Sequence, residues 1–315
     1  MKIIVPKAEN QDRLAWSALF WSARIGPAGF LRLLVRFGTA RAIIAADRDA
    51  LAAPSLKLSE EQIDSIVTDA AARLDTIEGE IASLEADGVR VICSFESEYP
   101  AGFRDAANPP PVICVRGKLA RADSPALAIV GTREPTREGL RVAREVAIAC
   151  AQRAITVVSG LARGIDGAAH RGALAGGGRT VAILGSGIRR VHPRRHIRLA
   201  GEIAHGGALI SALAPEAHPT GARLMARNRL ISALADGVLA VESTDTGGTL
   251  QTVSDARKQK RLVFACDWQT PKPQAEGTRG LIAEGAEPIL GADAIDVIEA
   301  MLRSHTSEPD QHSLI

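Results

Sequence analysis

The sequence predicts an α/β protein, a Rossmann-like doubly wound and mostly parallel sheet preceded by a small helical domain. Three observations predict it. From position 88 onward, short apolar runs alternate with helix-length amphipathic segments, the pattern of βαβ units. Before position 88 the apolar positions recur at helical spacing instead. Several of the apolar runs end in glycine-containing loops that open helices, as the strands of a parallel sheet do at their carboxyl edge.

The helical domain is expected over 8–87, the sheet domain over 88–303 and a polar, disordered tail over 304–315. Between 14 and 45, Ile25-Gly26-Pro27 interrupts the apolar pattern as a turn between two helices. This turn is similar to a helix-hairpin-helix, which clamps DNA phosphates through backbone amides, but Arg24 stands where that motif prefers Gly, so a helical packing module is expected. A further helix is expected over 59–86, with Ser59 as N-cap and Glu61 and Asp64 near its start. Strands are expected at 89–94, 111–115, 126–130, 155–158, 180–184, 208–211, 237–241, 262–265 and 288–290.

Composition narrows the function. The chain has 315 residues, 46% of them hydrophobic, enough for a large core. No run of about 18 apolar residues suits a membrane span, and 1–6 is too short for a signal segment, so no membrane partner and a cytoplasmic location are expected. Cys93, Cys114, Cys150 and Cys266 form no CxxC pair and read as buried thiols. No metal or cofactor motif is present: there is no P-loop, zinc-spaced set or Ser-His-Asp order. With a net charge of only +2, a polyanion must be held by a local basic patch.

Five strand-end segments carry chemistry suited to phosphate. The first is Gly131-Thr132-Arg133, where Gly131 lets the backbone approach a ligand and Arg133 offers a bidentate contact; an ordinary turn with a surface arginine reads the same way. The second is SGLARGIDGAAHRGAL, in which Ser159 and Gly160 make the turn and Arg163 precedes a helix start whose free N–H groups favour an anion. Asp166 is expected to cap that helix and His170 to pack rather than catalyse. The third, Gly185-Ser186-Gly187, leads into a basic run from Arg189 to Arg198, either a phosphate track or a solvated face. The fourth holds Arg227, Asn228 and Arg229, of which at least one is expected to face the sheet edge. The fifth is Thr246-Gly247-Gly248-Thr249 at another helix start.

In order, VGTR, SGLARGIDGAAHRGAL, TVAILGSGI, RNRLISAL, TGGTLQT and GLIAEGA resemble the DNA-processing protein A (DprA, or Smf) family over 89–290. The resemblance implies single-stranded DNA binding, a homodimer formed through the sheet domain, and loading of the RecA recombinase in natural transformation. It places Arg133, Ser159, Gly160 and Arg227 to Arg229 in a DNA groove. Three positions depart from the family: Leu224-Met225 replace Phe-Pro, Ala212 replaces a Glu, and Cys266-Asp267 replace Pro-Gly. Aromatic residues make up only 3% of the chain, so few platforms exist for base stacking.

An enzyme reading competes. Met225-Ala226-Arg227 and the loop 247–252 resemble part of the site of the LOG nucleotide phosphoribohydrolases. Cleaving an N-glycosidic bond calls for a carboxylate, and Gln251 and Thr252 occupy the places of the acids. Glu242 and Asp245 are the available substitutes, but both precede the helix and read equally as residues that fix the loop. A binding protein without cofactor is therefore expected, with a nucleotide-sensing module as a third reading.

Overall fold

The computed structural model describes residues 12–120, 125–270 and 272–307. The N-terminal stretch 1–11 thus lies outside the described residues, as does 308–315 of the expected tail.

The helical region opens with α1 (Arg13–Ser22), α2 (Pro27–Phe37), α3 (Ala40–Ile44) and α4 (Arg48–Leu51). Each start has a local cause. Asp12 Oδ1 accepts the N–H of Leu14, Pro27 begins α2, Thr39 caps α3 and Asp47 caps α4. The turn between α1 and α2 puts Arg24 at φ +50, a left-handed backbone that glycine would adopt more easily. Ser59 caps α5 (Glu60–Asp64) as expected, with Gln62 completing a capping box. The single helix expected over 59–86 is interrupted by a π-helical turn, Ser65–Ala70, before α6 (Ala71–Ala86).

Nine strands follow among the described residues: β1 (Val89–Cys93), β2 (Val112–Gly117), β3 (Ala126–Val130), β4 (Thr156–Ser159), β5 (Thr180–Leu184), β6 (Ala208–Ser211), β7 (Gly237–Ala240), β8 (Leu262–Cys266) and β9 (Glu287–Ile289). They match the expected strands to within two residues at each end. Their order is β1-β2-β6-β5-β4-β3-β7-β8-β9, with β2 antiparallel to both neighbours and the rest parallel. The connecting helices are α7 (Ala101–Asp105), α8 (Arg137–Gln152), α9 (Ile165–Ala175), α10 (Ile197–Gly206), α11 (Gly221–Ala233), α12 (Gly248–Lys258), α13 (Glu276–Ala283) and α14 (Ile295–Ser307). Because α14 runs through Ser307, residues 304–307 are helical, and the tail expected from 304 is corrected there.

Side-chain alternation assigns the layers. On one face Leu127, Ile129 and Val157 pack under α8, α9 and α14, while Ala182, Leu184 and Leu209 meet α10 and the N-terminal helices. On the other face Ala128, Val130, Val158, Val181 and Ile183 pack under α11, α12 and α13. Trp16 sets its ring edge to face against Phe30 at 5.0 Å and Phe95 at 4.9 Å, joining α1 to the loop after β1. All four cysteines are buried and unpaired, as expected. The chain order reverses between β3 and β7, which places the switch point of the sheet, and all parallel strands end on one edge.

Candidate nucleic-acid interface

That edge collects the five predicted segments, but the structure gives them different tasks. Arg133 and Arg163, in the loops after β3 and β4, are exposed, and among the described residues neither has an ion-pair partner. His192, on the loop after β5, lies within the field of both; desolvation first, then Arg133 and Arg163, push its pKa down. Three adjacent strand ends therefore bring Arg133, Arg163 and His192 to the surface within reach of one another's fields.

Beneath it the turn of SGLARGID is closed. Ser159 is fully buried and its hydroxyl donates to the Ile129 carbonyl at 2.7 Å, so it supports the strand end and offers no atom to a surface phosphate. The Gly160 N–H donates to Asp166 Oδ2 at 3.1 Å, and Ala162 N–H donates to the same oxygen at 3.3 Å. Asp166 is accordingly not the N-cap of α9; Gly164 takes that place at φ +76, and the carboxylate braces the preceding turn. Leu161 is held left-handed at φ +58, a conformation costly for a branched side chain.

Arg227 is the predicted arginine that faces the sheet. It is buried, with Nη1 donating to the Gly160 carbonyl at 2.5 Å and to the Ile183 carbonyl, and Nε donating to Asn228 Oδ1 at 3.3 Å. Burial lowers its pKa to about 10, the positive charge of Arg133 adds to that, and Asp166 opposes it. Arg227, expected in a groove, lies buried here and ties the end of β4 to β5 from below. Asn228 Nδ2 donates to the Gly248 carbonyl at 3.1 Å and so ties α11 to the start of α12. Arg229 turns away to the Ala107 carbonyl at 3.0 Å, outside the cluster.

Gly185 and Ser186 are also buried, Gly185 against Leu224, and the Ser186 carbonyl accepts the Ser211 hydroxyl at 2.7 Å. They shape the loop from inside. The basic run beyond them divides: Arg189 pairs with Asp87, Arg190 with Glu216 and Arg198 with Glu202, which leaves Arg194 and Arg195 exposed beside His196. His196 Nδ1 donates to the Leu161 carbonyl at 2.9 Å. Gly131 and Thr132 lie partly open, the Thr132 N–H donating to Glu242 O at 2.8 Å. Thr246 and Gly247 are exposed at the start of α12, Gly248 is partly covered and Thr249 is buried. Met225, exposed, is the nearest side chain to Gly248 apart from Asn228.

Glu242, which the sequence offers as a substitute acid or as a brace for its loop, fills the switch point through partners that sequence reasoning missed. Glu242, fully buried at the end of β7, accepts the Thr136 N–H at 2.9 Å, the Thr136 hydroxyl at 2.6 Å and Lys272 Nζ at 2.7 Å. Lys272 Nζ in turn stands 3.4 Å from the centre of the Trp268 ring, whose indole N–H donates to Val241 O at 2.7 Å. The partners are 106 and 30 positions from Glu242, so no local pattern announced them. His170 packs as expected: Nδ1 lies 2.7 Å from Thr180 Oγ1, whose own proton goes to the Val157 carbonyl at 2.8 Å, so Nδ1 is the donor.

A doubly wound, mostly parallel sheet whose chain order reverses between β3 and β7 defines an α/β protein of the Rossmann-like class. Comparison with known proteins is more specific. The chain belongs to the DNA recombination-mediator protein A family, whose model matches residues 90–301, and a DprA-like N-terminal HHH domain matches residues 10–51. Protein Smf of Escherichia coli is 38% identical over 225 residues, spanning 71% of this chain and 60% of that protein. The DNA processing protein DprA of Bacillus subtilis is 31% identical over 253 residues, 77% of this chain and 85% of that one. Among solved structures, DNA processing protein A of Streptococcus pneumoniae aligns with a TM-score of 0.74 and 25% identity over 91% of this chain and 97% of its own. A structure describing the single-stranded DNA binding mode of DNA processing protein A from Helicobacter pylori aligns at 0.61 and 25% identity, over 69% and 96%.

Proposed function

We propose that this chain binds single-stranded DNA along the carboxyl edge of its sheet and acts in natural transformation by protecting incoming strands and loading a RecA recombinase. The observation that carries the reading is the pair Arg133 and Arg163, exposed and unpaired among the described residues, above the buried Arg227. A flexible strand needs a series of phosphate contacts rather than one pocket, and Arg194, Arg195 and the open start of α12 extend the series. The relatives named for DNA processing, and the Helicobacter pylori protein described in a single-stranded DNA binding mode, support the same reading. The direct contacts are Arg133, Arg163, Thr132 and the backbone at Thr246 to Gly248. Ser159, Gly160, Gly185, Ser186, Arg227 and Asn228 shape the loops beneath them.

The helical unit 8–87 and the sheet unit 88–303 work together in the cytoplasm as a homodimer formed through the sheet unit. A hydrolase is disfavoured because Glu242 is fully buried and already engaged by Lys272 and Thr136. A gel-shift comparing single-stranded, double-stranded and mononucleotide competitors tests the reading. Single strands should compete best, and a mononucleotide that displaces the strand at equal concentration would overturn it.

A further inference from the structure

Arg189 follows the buried Gly185-Ser186-Gly187 turn and reaches out of the sheet region to α6. Its Nη2 donates to Ser83 Oγ at 2.8 Å and to Asp87 Oδ2 at 2.6 Å, and Nη1 stands 3.9 Å from Glu216. The Arg189 N–H donates to the Pro215 carbonyl at 3.1 Å, and the Gly187 N–H donates to the Ala217 carbonyl at 2.8 Å. This fixes one end of the loop that carries His192, Arg194 and Arg195. The other end is fixed where His196 donates to the Leu161 carbonyl.

Asp87 is oddly placed for helix stability alone. It is the C-cap residue of α6, a helix of 16 residues, and a carboxylate there meets the negative end of the helix dipole. The pairing with Arg189 gives that charge a purpose.

Resting on the single-stranded DNA reading above, we propose that Arg189 is a positioning residue: clamped by Ser83 and Asp87, it lets the N-terminal helices set where the loop's cations meet the strand. Arg189 itself touches no phosphate. The helical region thereby contributes to DNA affinity through the loop it holds, independently of any contact of its own with DNA.

Two ordinary effects predict the opposite sign for Asp87→Asn. Removing an acid from a DNA-binding surface tightens binding, and relieving the dipole clash steadies the helix. The latch predicts weaker binding. In fluorescence anisotropy with an oligo-dT strand, across a range of salt concentrations and with the full chain, Asp87→Asn and Arg189→Met should each bind about three- to tenfold more weakly. Neither should change the slope of log affinity against log salt, whereas Arg133→Ala should flatten it by about 0.7. The double variant should bind no more weakly than Arg189→Met alone.

Unchanged or tighter binding by Asp87→Asn overturns the proposal, as does a flattened slope for Arg189→Met or an additive double variant. Should either variant fail to fold, Ser83→Ala carries the test, since it removes one hydrogen bond and leaves the ion pair; it should weaken binding by a smaller factor, and no change would overturn the latch. If the wild-type chain binds no oligo-dT, the DNA reading itself falls and the latch falls with it. If Arg133→Ala weakens binding and Asp87→Asn does not, only the latch falls.

Discussion

Asp166 and Arg227 hold Gly160 from its two polar ends: the carboxylate accepts the Gly160 N–H at 3.1 Å, and the guanidinium donates to the Gly160 carbonyl at 2.5 Å. Both charged groups are buried. Burial raises the Asp166 carboxyl above its ordinary range, with Arg227 and the two backbone donors opposing the shift. The pair is an arrangement of opposite charges separated by a backbone dipole, and it stiffens a turn in which Leu161 is already left-handed. A rigid turn lets Arg133 and Arg163 keep a fixed spacing without help from a ligand.

The clamp leaves no room at Gly160. A Cβ there would fall 2.6 Å from Arg227 Cζ, and the guanidinium cannot retreat without abandoning two buried carbonyls. Gly160→Ala is therefore expected to destabilise the chain by about 2–4 kcal/mol, combining overpacking with a displaced buried charge. Urea unfolding checks this, and a midpoint equal to wild type would show that the clamp is dispensable.

Arg133 should behave in the opposite way. It is exposed and bears no ion pair among the described residues, so Arg133→Ala should alter stability by less than about 0.5 kcal/mol. Its loss should lower affinity for a single strand and reduce the salt slope by about 0.7, one phosphate contact's worth. Arg227→Met is the contrast: a large fall in stability, with any fall in DNA affinity coming through the distorted turn. If both variants bound and unfolded alike, the division into exposed contact and buried support would be wrong.

The contrast also marks what the sequence could reveal. Strand positions were legible because a buried parallel strand must be an apolar run, and a loop after it must turn. Which arginine faces water was only partly legible: Arg227, Asn228 and Arg229 had to turn at least one side chain toward the sheet edge, but the choice among them rests on the tertiary partners they meet. The N-cap role expected of Asp166 failed for a similar reason. The residue lies six positions from Gly160, and only the fold of the intervening turn brings its carboxylate back to that N–H. Ser59, by contrast, caps its helix through Gln62 three positions on, a pattern complete within the local sequence.

Glu242 and Lys272 offer a test of the switch point. Glu242 is fully buried, and an amide in its place would turn donor hydrogens toward at least one of three donors. Glu242→Gln should cost about 3–5 kcal/mol, and the double variant with Lys272→Met should cost less than the sum of the singles. A double-mutant cycle with no coupling would refute the pair. The same preparations, incubated with nucleoside monophosphates, should release no free base, wild type included.

Burial lowers the His170 pKa from 6.5 to about 3, with the positive fields of His196, Arg227 and Arg171 adding to it. The unfolded chain therefore binds a proton near pH 6.5 that the folded chain refuses until about 3. The stability this histidine contributes is complete above 6.5 and is lost as pH falls toward 3, at up to about 1.4 kcal/mol per pH unit. Asp166 works the other way: its carboxyl is raised above 3.8 in the fold, so protonation favours the folded chain as the pH falls through that raised value. His170→Asn separates the two, because it keeps a donor within reach of Thr180 Oγ1 and leaves Asp166 untouched. The variant should be less stable than wild type at neutral pH, and its stability should fall less steeply between about pH 6 and 4, by roughly 1 kcal/mol per unit. Urea titrations at several pH values measure the slopes directly, and parallel slopes would mean that His170 takes up its proton as readily folded as unfolded.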